Sequence, residues 1–245
     1  MIPLIVADHL HKKFEDGHVA VQDATFEVRP GETLGMLGGN GAGKSTTVHM
    51  LLGNIPPTSG QSFIAGHCMQ EDPLEAKRHL GYVSENVLLY GPLTAEQNLR
   101  FFARISGAEV PREREEEVLE RVGLGGAAKR RVETFSKGMR QRLGIAIALV
   151  KDPEALLLDE PTTGLDPVGT QELNNLMMSL RDEGKAILLV THDLFRLNEI
   201  ADRIVVMRDR TLTEPVVARS VADVTRLYME AVGVATVANG GATVG

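Results

Sequence analysis

A single cysteine, Cys68, is all the thiol chemistry that this 245-residue chain holds. It excludes an internal disulfide and suits a reducing cytoplasm. Positive charge is short as well: 26 Lys and Arg against 33 Asp and Glu leave a net charge of −7. A nucleic-acid partner needs a basic face, so none is expected. Apolar runs such as Gly144 to Val150 and Ala186 to Val190 stop far below the ~20 residues that a membrane-spanning helix requires. The opening residues Met1 to Asp8 lack the basic start and long apolar centre of a signal peptide. If the protein serves a membrane, another chain must supply the membrane part. The length fits one large α/β domain or two small lobes sharing a core, and no internal repeat interrupts it.

What the chain does have is an ordered glycine cluster. Gly38-Gly39-Asn40-Gly41-Ala42-Gly43-Lys44-Ser45 fits the pattern G-x-x-x-x-G-K-[ST] at every fixed position. The apolar run Thr33 to Leu37 before it predicts a buried strand, and Thr46 to Leu52 after it predicts a helix that stops at Gly53. Glycines let such a loop curl so that successive N–H groups point inward, and the helix N-terminus adds partial positive charge. Lys44 then reaches the β- and γ-phosphates of a nucleoside triphosphate, and the Ser45 hydroxyl is placed to ligate Mg²⁺. Nucleotide contacts are expected from Gly38 through Thr46.

Along the chain, residues 3–7 and 24–28 are short β-rich runs flanking a turn at Asp16-Gly17, and Gly60 to Gly66 is another. Asp72 to Leu80 is a modest helix candidate. The pattern then becomes helical to about residue 150. Thr94 and Gln97 are spaced as a capping box, for a helix ending near Gly107. Pro111 suits the first turn of the next helix, which ends near Gly123 and carries Glu113, Glu115, Glu116 and Glu117 as a solvated face. Ser136 precedes a third helix with Leu143, Ile147 and Val150 at helical spacing. Ala155 to Leu158, Ala186 to Val190 and Ile204 to Met207 read as parallel strands buried on both faces, with a helix over 168–182. His67-Cys68-Met69 offers soft metal ligands, but three adjacent residues rarely all point inward, so a plain turn after a strand is expected.

Two further groups carry chemistry. Asp159 ends one apolar strand and supplies a second Mg²⁺ group; Glu160, one step on, can orient a water for in-line attack on the γ-phosphate and accept its proton. Val190-Thr191-His192-Asp193 closes another buried strand, placing His192 to hydrogen-bond the γ-phosphate and hold that water with Glu160.

Residues 133–142, Glu-Thr-Phe-Ser-Lys-Gly-Met-Arg-Gln-Arg, resemble the signature of ATP-binding-cassette ATPases, whose usual core is L-S-G-G-Q. Leu156 to Thr162, Gly164-Leu165-Asp166-Pro167 and Thr191-His192-Asp193 continue the resemblance, which covers the chain from Val6 to about Met207. The resemblance implies an α/β fold: a P-loop NTPase core with a mainly parallel sheet, an N-terminal antiparallel β subdomain and an inserted α-helical lobe. Residues 1–233 then form one domain, with the catalytic core at 1–82 and 152–233 and the lobe at 83–151; residues 234–245, small and low in complexity, are expected to be a disordered tail.

The resemblance also implies roles. Phe14 lies where the family places an aromatic that stacks on adenine, a core phenylalanine being the alternative. Such ATPases work as head-to-tail dimers, with ATP held between the phosphate loop of one copy and Ser136, Lys137, Gly138 and Met139 of the other, and with Asp166 crossing the interface. Glu85 stands where the family usually has glutamine; a carboxylate still ligates Mg²⁺ but adds negative charge beside the γ-phosphate. Lys137 either adds positive charge near the partner's nucleotide or points to solvent.

Glu85-Asn86 and the Lys-Gly-Met signature resemble ATPases paired with separate permeases in export or maturation systems, that for nitrous-oxide-reductase copper-site maturation among them. The implied partners are a membrane permease and a second ATPase copy, and the implied place is cytoplasmic, on the inner face of the cell membrane. Val87, Leu88, Leu89, Tyr90 and Leu93 are apolar enough to receive a permease helix. A cassette ATPase without a permease, of the cluster-assembly type, is the alternative.

Overall fold

The computed structural model describes residues 2–217 and 221–232, so the expected tail at 234–245 lies outside the described residues. The chain opens with β1 (Ile5–Lys13) and β2 (Val19–Val28), an antiparallel pair. Next come β3 (Thr33–Gly38), α1 (Lys44–Leu51), β4 (Ser59–Ile64), β5 (His67–Cys68), α2 (Pro73–Arg78) and β6 (Leu80–Val83). Three helices follow, α3 (Ala95–Ile105), α4 (Arg112–Arg121) and α5 (Lys137–Leu149). The chain then returns to alternation with β7 (Ala155–Asp159), α6 (Pro167–Asp182), β8 (Ala186–Thr191) and α7 (Leu194–Ile200). It closes with β9 (Arg203–Arg208), β10 (Thr211–Leu212), β11 (Val216–Val217) and α8 (Val221–Val232).

Strands β9, β3, β8, β7 and β6 lie side by side and parallel. β5, β4, β1 and β2 form an antiparallel arm, joined to that core by β10 between β2 and β9. The apolar strands are uniform because both faces are covered. Leu156 and Leu158 of β7 pack with the helical side, while Ala155 and Leu157 pack with the core under α1 and the arm. This is the α/β fold with an antiparallel N-terminal part and helices inserted between β6 and β7.

Several local expectations need correction. β1 and β2 run well beyond residues 3–7 and 24–28, because β1 is paired on both sides. A two-sided backbone ladder carries the strand through Asp8, His11 and Lys12, polar positions that hide it from an apolar pattern. Helix α1 begins at Lys44 rather than Thr46, and α6 at Pro167 rather than 168. Pro111 is the N-cap of α4 instead of a first-turn residue. Ile147 is only partly buried, unlike Leu143 and Val150. His67-Cys68-Met69 is not a plain turn: His67 and Cys68 pair with Ile64 and Phe63, and Met69 is buried.

The acidic face of α4 is the largest departure. Glu115 is 4% exposed, and its carboxylate accepts from Arg100 Nε and Nη2 of α3 at 2.9 and 2.5 Å. Charge on a helix is normally solvated, but the packing of α4 against α3 encloses this one. The capping box at the start of α3 is present in full: Thr94 Oγ1 accepts from the Gln97 amide, and Gln97 Oε1 accepts from the Thr94 amide.

Candidate functional site

Parallel register aligns three strand ends. Leu37 sits opposite Thr191, and Asp159 opposite Val190. The phosphate loop, Asp159-Glu160 and Thr191-His192 therefore emerge together at the carboxyl edge of the sheet, the usual ligand crevice of parallel α/β folds.

The loop between β3 and α1 depends on glycine at two close approaches. Gly43, the N-cap of α1, has φ +114°, and a Cβ there would stand 2.6 Å from the Ala20 carbonyl oxygen. A Cβ on Gly38 would stand 2.6 Å from the Met207 carbonyl oxygen. With no side chain at the cap, the first N–H groups of α1 have no side-chain partner and are open to an anion. Lys44 Nζ donates to the Gly38 and Gly39 carbonyls at 2.6 and 3.0 Å. Burial lowers the Lys44 ammonium from its usual pKa, opposed by Glu160 and Asp159. Ala42 packs on the core, and Asn40, Gly41 and Ser45 are exposed at the rim.

Phe14 follows β1 and shares a cleft of about 280 Å³ with Ala20, Gly39, Lys44, Ser45 and Thr46. Phe14 is 38% exposed, which removes the alternative of a core phenylalanine. His18 lies nearly parallel to it at 6.4 Å, and Lys12 Nζ is 5.2 Å from its centroid. An exposed aromatic face beside a phosphate cradle is what a stacked base needs.

Glu160 has a backbone φ of +49°, uncommon for a side-chain-bearing residue. Its Oε1 accepts from the His192 amide at 2.9 Å and from His192 Nδ1 at 2.5 Å. Its Oε2 accepts from Thr191 Oγ1 at 3.0 Å and Thr163 Oγ1 at 3.4 Å. Thr191 and Thr163 were given no role from sequence, although for Thr191 a threonine ending an otherwise apolar strand was the available signal. With Nδ1 committed to Glu160, the other nitrogen of His192 is left for a ligand.

Asp159 is raised above the ordinary carboxylate range, by burial first and then by Glu160 and Glu85, with Lys44 and His49 opposing. A divalent cation would reverse that shift, so the carboxylates of Asp159 and Glu85 suit a hard ion such as Mg²⁺. Glu85 is exposed in the turn after β6. That turn is tied to α5: Gln141 Nε2 donates to the Ser84 carbonyl, and Val87 packs so closely that a Cβ on Gly144 would stand 2.8 Å from it.

The signature residues lie apart from this cleft. Ser136 caps α5, its Oγ accepting from the Met139 amide at 3.2 Å. None of Ser136, Lys137, Gly138 and Met139 lines the cleft around Lys44. Lys137 reaches across Gly164, where a Cβ would stand 2.6 Å from its Nζ. Asp166 is exposed and caps α6, with Oδ1 accepting from the Gly169 amide at 3.0 Å.

The family model described as "ABC transporter" matches residues 21–163. The ABC transporter ATP-binding protein YhcH of Bacillus subtilis is 39% identical over 199 residues, which cover 81% of this chain and 65% of that protein. The bacitracin transport ATP-binding protein BcrA of Bacillus licheniformis is 41% identical over 212 residues, covering 86% of this chain and 69% of that protein. The chain thus spans about two thirds of the length of these curated relatives. A solved ATP-binding subunit of an ABC transporter superposes with a TM-score of 0.82 at 28% identity, over 94% of this chain and 99% of the other. Sequence, fold and the ordered phosphate loop, signature and Glu160–His192 pair agree, and the chain belongs to the ATP-binding proteins of the ABC transporter family.

Proposed function

We propose that this chain binds ATP with Mg²⁺ and hydrolyses it as the motor subunit of an exporter with a separate membrane permease. One observation carries the chemistry: Lys44, Asp159, Glu160 and His192 converge on one sheet edge, near enough for Glu160 and Asp159 to act on the Lys44 ammonium. Phe14 stacks on the base, the loop from Gly38 to Thr46 holds the phosphates, and Lys44 contacts the β- and γ-phosphates. Ser45, Asp159 and Glu85 would hold Mg²⁺, which would supply neutralisation of phosphate charge. Glu160 orients a water and takes its proton as the new P–O bond forms and the bond from the γ-phosphorus to the bridging oxygen breaks. His192 keeps Glu160 in place through Nδ1 and faces the γ-phosphate with its other nitrogen.

Two copies act head to tail. Ser136, Lys137, Gly138 and Met139 make an anion site at a helix N-terminus that has no phosphate within its own chain, and Asp166 lies exposed beside it. The permease docks on the turn after Glu85. There Leu88 is 85% and Tyr90 50% exposed, while Val87 and Leu89 pack inward. No helix of the described residues is long and apolar enough to cross a membrane. In this reading the chain works on the cytoplasmic face of the membrane, held there by the permease. The name of the bacitracin relative, a transport ATP-binding protein, supports a transport system.

The test is affinity purification of tagged Glu160→Gln protein from detergent-solubilised cells with ATP and Mg²⁺. ATP-dependent dimers and a stoichiometric multi-helix membrane protein are expected. Dimers with soluble partners alone would replace the exporter by a permease-free ATPase, and ATP binding without dimers would overturn the head-to-tail scheme.

A further inference from the structure

His67, Cys68 and Met69 do not gather round one point. Cys68 is buried, with its sulfur between Gln61 Nε2 and Gln70 Oε1, and Met69 is buried in the core. His67 meets a different pair. A ring nitrogen of His67, a ring nitrogen of His79 and a carboxylate oxygen of Glu75 all lie within 4.8 Å of one another, each residue half-buried. The two imidazole planes differ by 5° and their centroids stand 5.1 Å apart.

We propose that His67, Glu75 and His79 form a binding site for a divalent transition-metal ion of the Zn²⁺ type, distinct from the ATP site. The surrounding hydrogen bonds prepare these atoms for it. Glu154 Oε1 lies 2.8 Å from His79 Nδ1, and a carboxylate there fixes the proton on Nδ1 and leaves Nε2 as a bare acceptor. Arg78 Nη1 donates to Glu75 Oε2 at 2.7 Å, leaving Glu75 Oε1 unengaged by that arginine and 3.6 Å from His79 Nε2. Two acceptors facing each other across that gap have no proton to share in this tautomer. An ion bonded at ~2.0–2.2 Å to each fills such a space, with the His67 nitrogen as third donor.

Donor chemistry selects the ion. Two imidazoles and one carboxylate suit Zn²⁺ and its divalent neighbours, whereas Mg²⁺ and Ca²⁺ want oxygen alone and Cu(I) wants sulfur. Cys68 points elsewhere, so no thiolate enters. Half-burial leaves a coordination position for water, which completes the tetrahedron. The bound ion would staple the arm, through His67 of β5, to α2, and through the His79–Glu154 contact to the start of β7.

The experiment is titration of untagged, nucleotide-free protein with ZnCl₂, Mg²⁺ being in large excess to occupy the ATP site, read by calorimetry and thermal unfolding. One saturable equivalent per chain and a raised midpoint are expected. His67→Gln and His79→Gln should each weaken binding at least ~10-fold, and Glu154→Gln by ~10–100-fold, the usual loss on removing a histidine's carboxylate partner. Co²⁺ in the wild-type protein provides a reading independent of any variant's folding, and the visible absorption of a four-coordinate ion is expected. Absence of saturable Zn²⁺ uptake, uptake unchanged in the His67→Gln/His79→Gln double variant, uptake displaced by ATP–Mg²⁺, or a six-coordinate Co²⁺ spectrum would each overturn the assignment.

Discussion

The ion pair between α3 and α4 gives an asymmetric prediction. The Glu115 side chain is 5% exposed and the Arg100 side chain 42%. Removing the arginine leaves a carboxylate buried without a partner; removing the glutamate leaves a guanidinium that water can reach. Orphaning one member of a buried pair costs ~3–5 kcal/mol. Water has a route here, because Arg100 is half in solvent and both residues line a cleft of about 410 Å³. The expected cost of Arg100→Ala is therefore nearer ~2–3 kcal/mol, and that of Glu115→Ala ~1 kcal/mol. At ~2–4 °C per kcal/mol for a domain of this size, Arg100→Ala lowers the unfolding midpoint by ~4–12 °C. The diagnostic variant is the double one: Arg100→Ala/Glu115→Ala removes the orphan and recovers part of the loss. Thermal and urea unfolding of the four proteins measure it. A double variant less stable than Arg100→Ala alone would refute the account of Glu115 as a buried charge held by its partner.

Glu160→Gln should bind ATP as the parent does while losing ~10²–10⁴-fold in turnover, the usual contribution of a positioned base, measured by phosphate release and nucleotide fluorescence. Gly43→Ala should abolish nucleotide binding with the fold retained, since its Cβ would stand 2.6 Å from the Ala20 carbonyl at φ +114°; a variant that binds ATP normally would remove the steric reason for glycine there. Because burial, Glu160 and Glu85 raise the folded pKa of Asp159, protonation of Asp159 favours the folded state, and stability falls as pH rises through that raised pKa. Without Mg²⁺, Asp159→Asn should thus unfold at higher temperature than the parent at neutral pH, the difference closing as pH falls toward the ordinary carboxylate value of 3.8. Glu85→Gln removes one of the acids acting on Asp159 and should speed hydrolysis or relax its Mg²⁺ requirement; an unchanged rate and Mg²⁺ dependence would exclude a special effect of glutamate there.

The phosphate loop, Asp159-Glu160 and the capping box at Thr94 were legible in the chain because each is local. Their spacing follows from a turn, a strand end or one helical turn, and a dozen residues contain the whole device. The same holds for the buried parallel strands, whose uniform apolar runs announce two covered faces before any partner is known. Membership of the family was carried by the order of such local devices along the chain.

What lies between distant residues was decided by tertiary structure. β1 continues through polar Asp8 and His11 because strands on both sides bond its backbone, which no pattern of its own side chains records. Glu115 is the only acid of its run to be enclosed, since α4 presents that one position to Arg100 of α3. Thr191 holds Glu160 only because parallel register sets β7 beside β8. The sequence drew the eye to His67, Cys68 and Met69 as neighbours, yet a strand sends adjacent side chains to opposite faces. The helix α2, packed beside β5, brings His67 its companions, Glu75 and His79, instead.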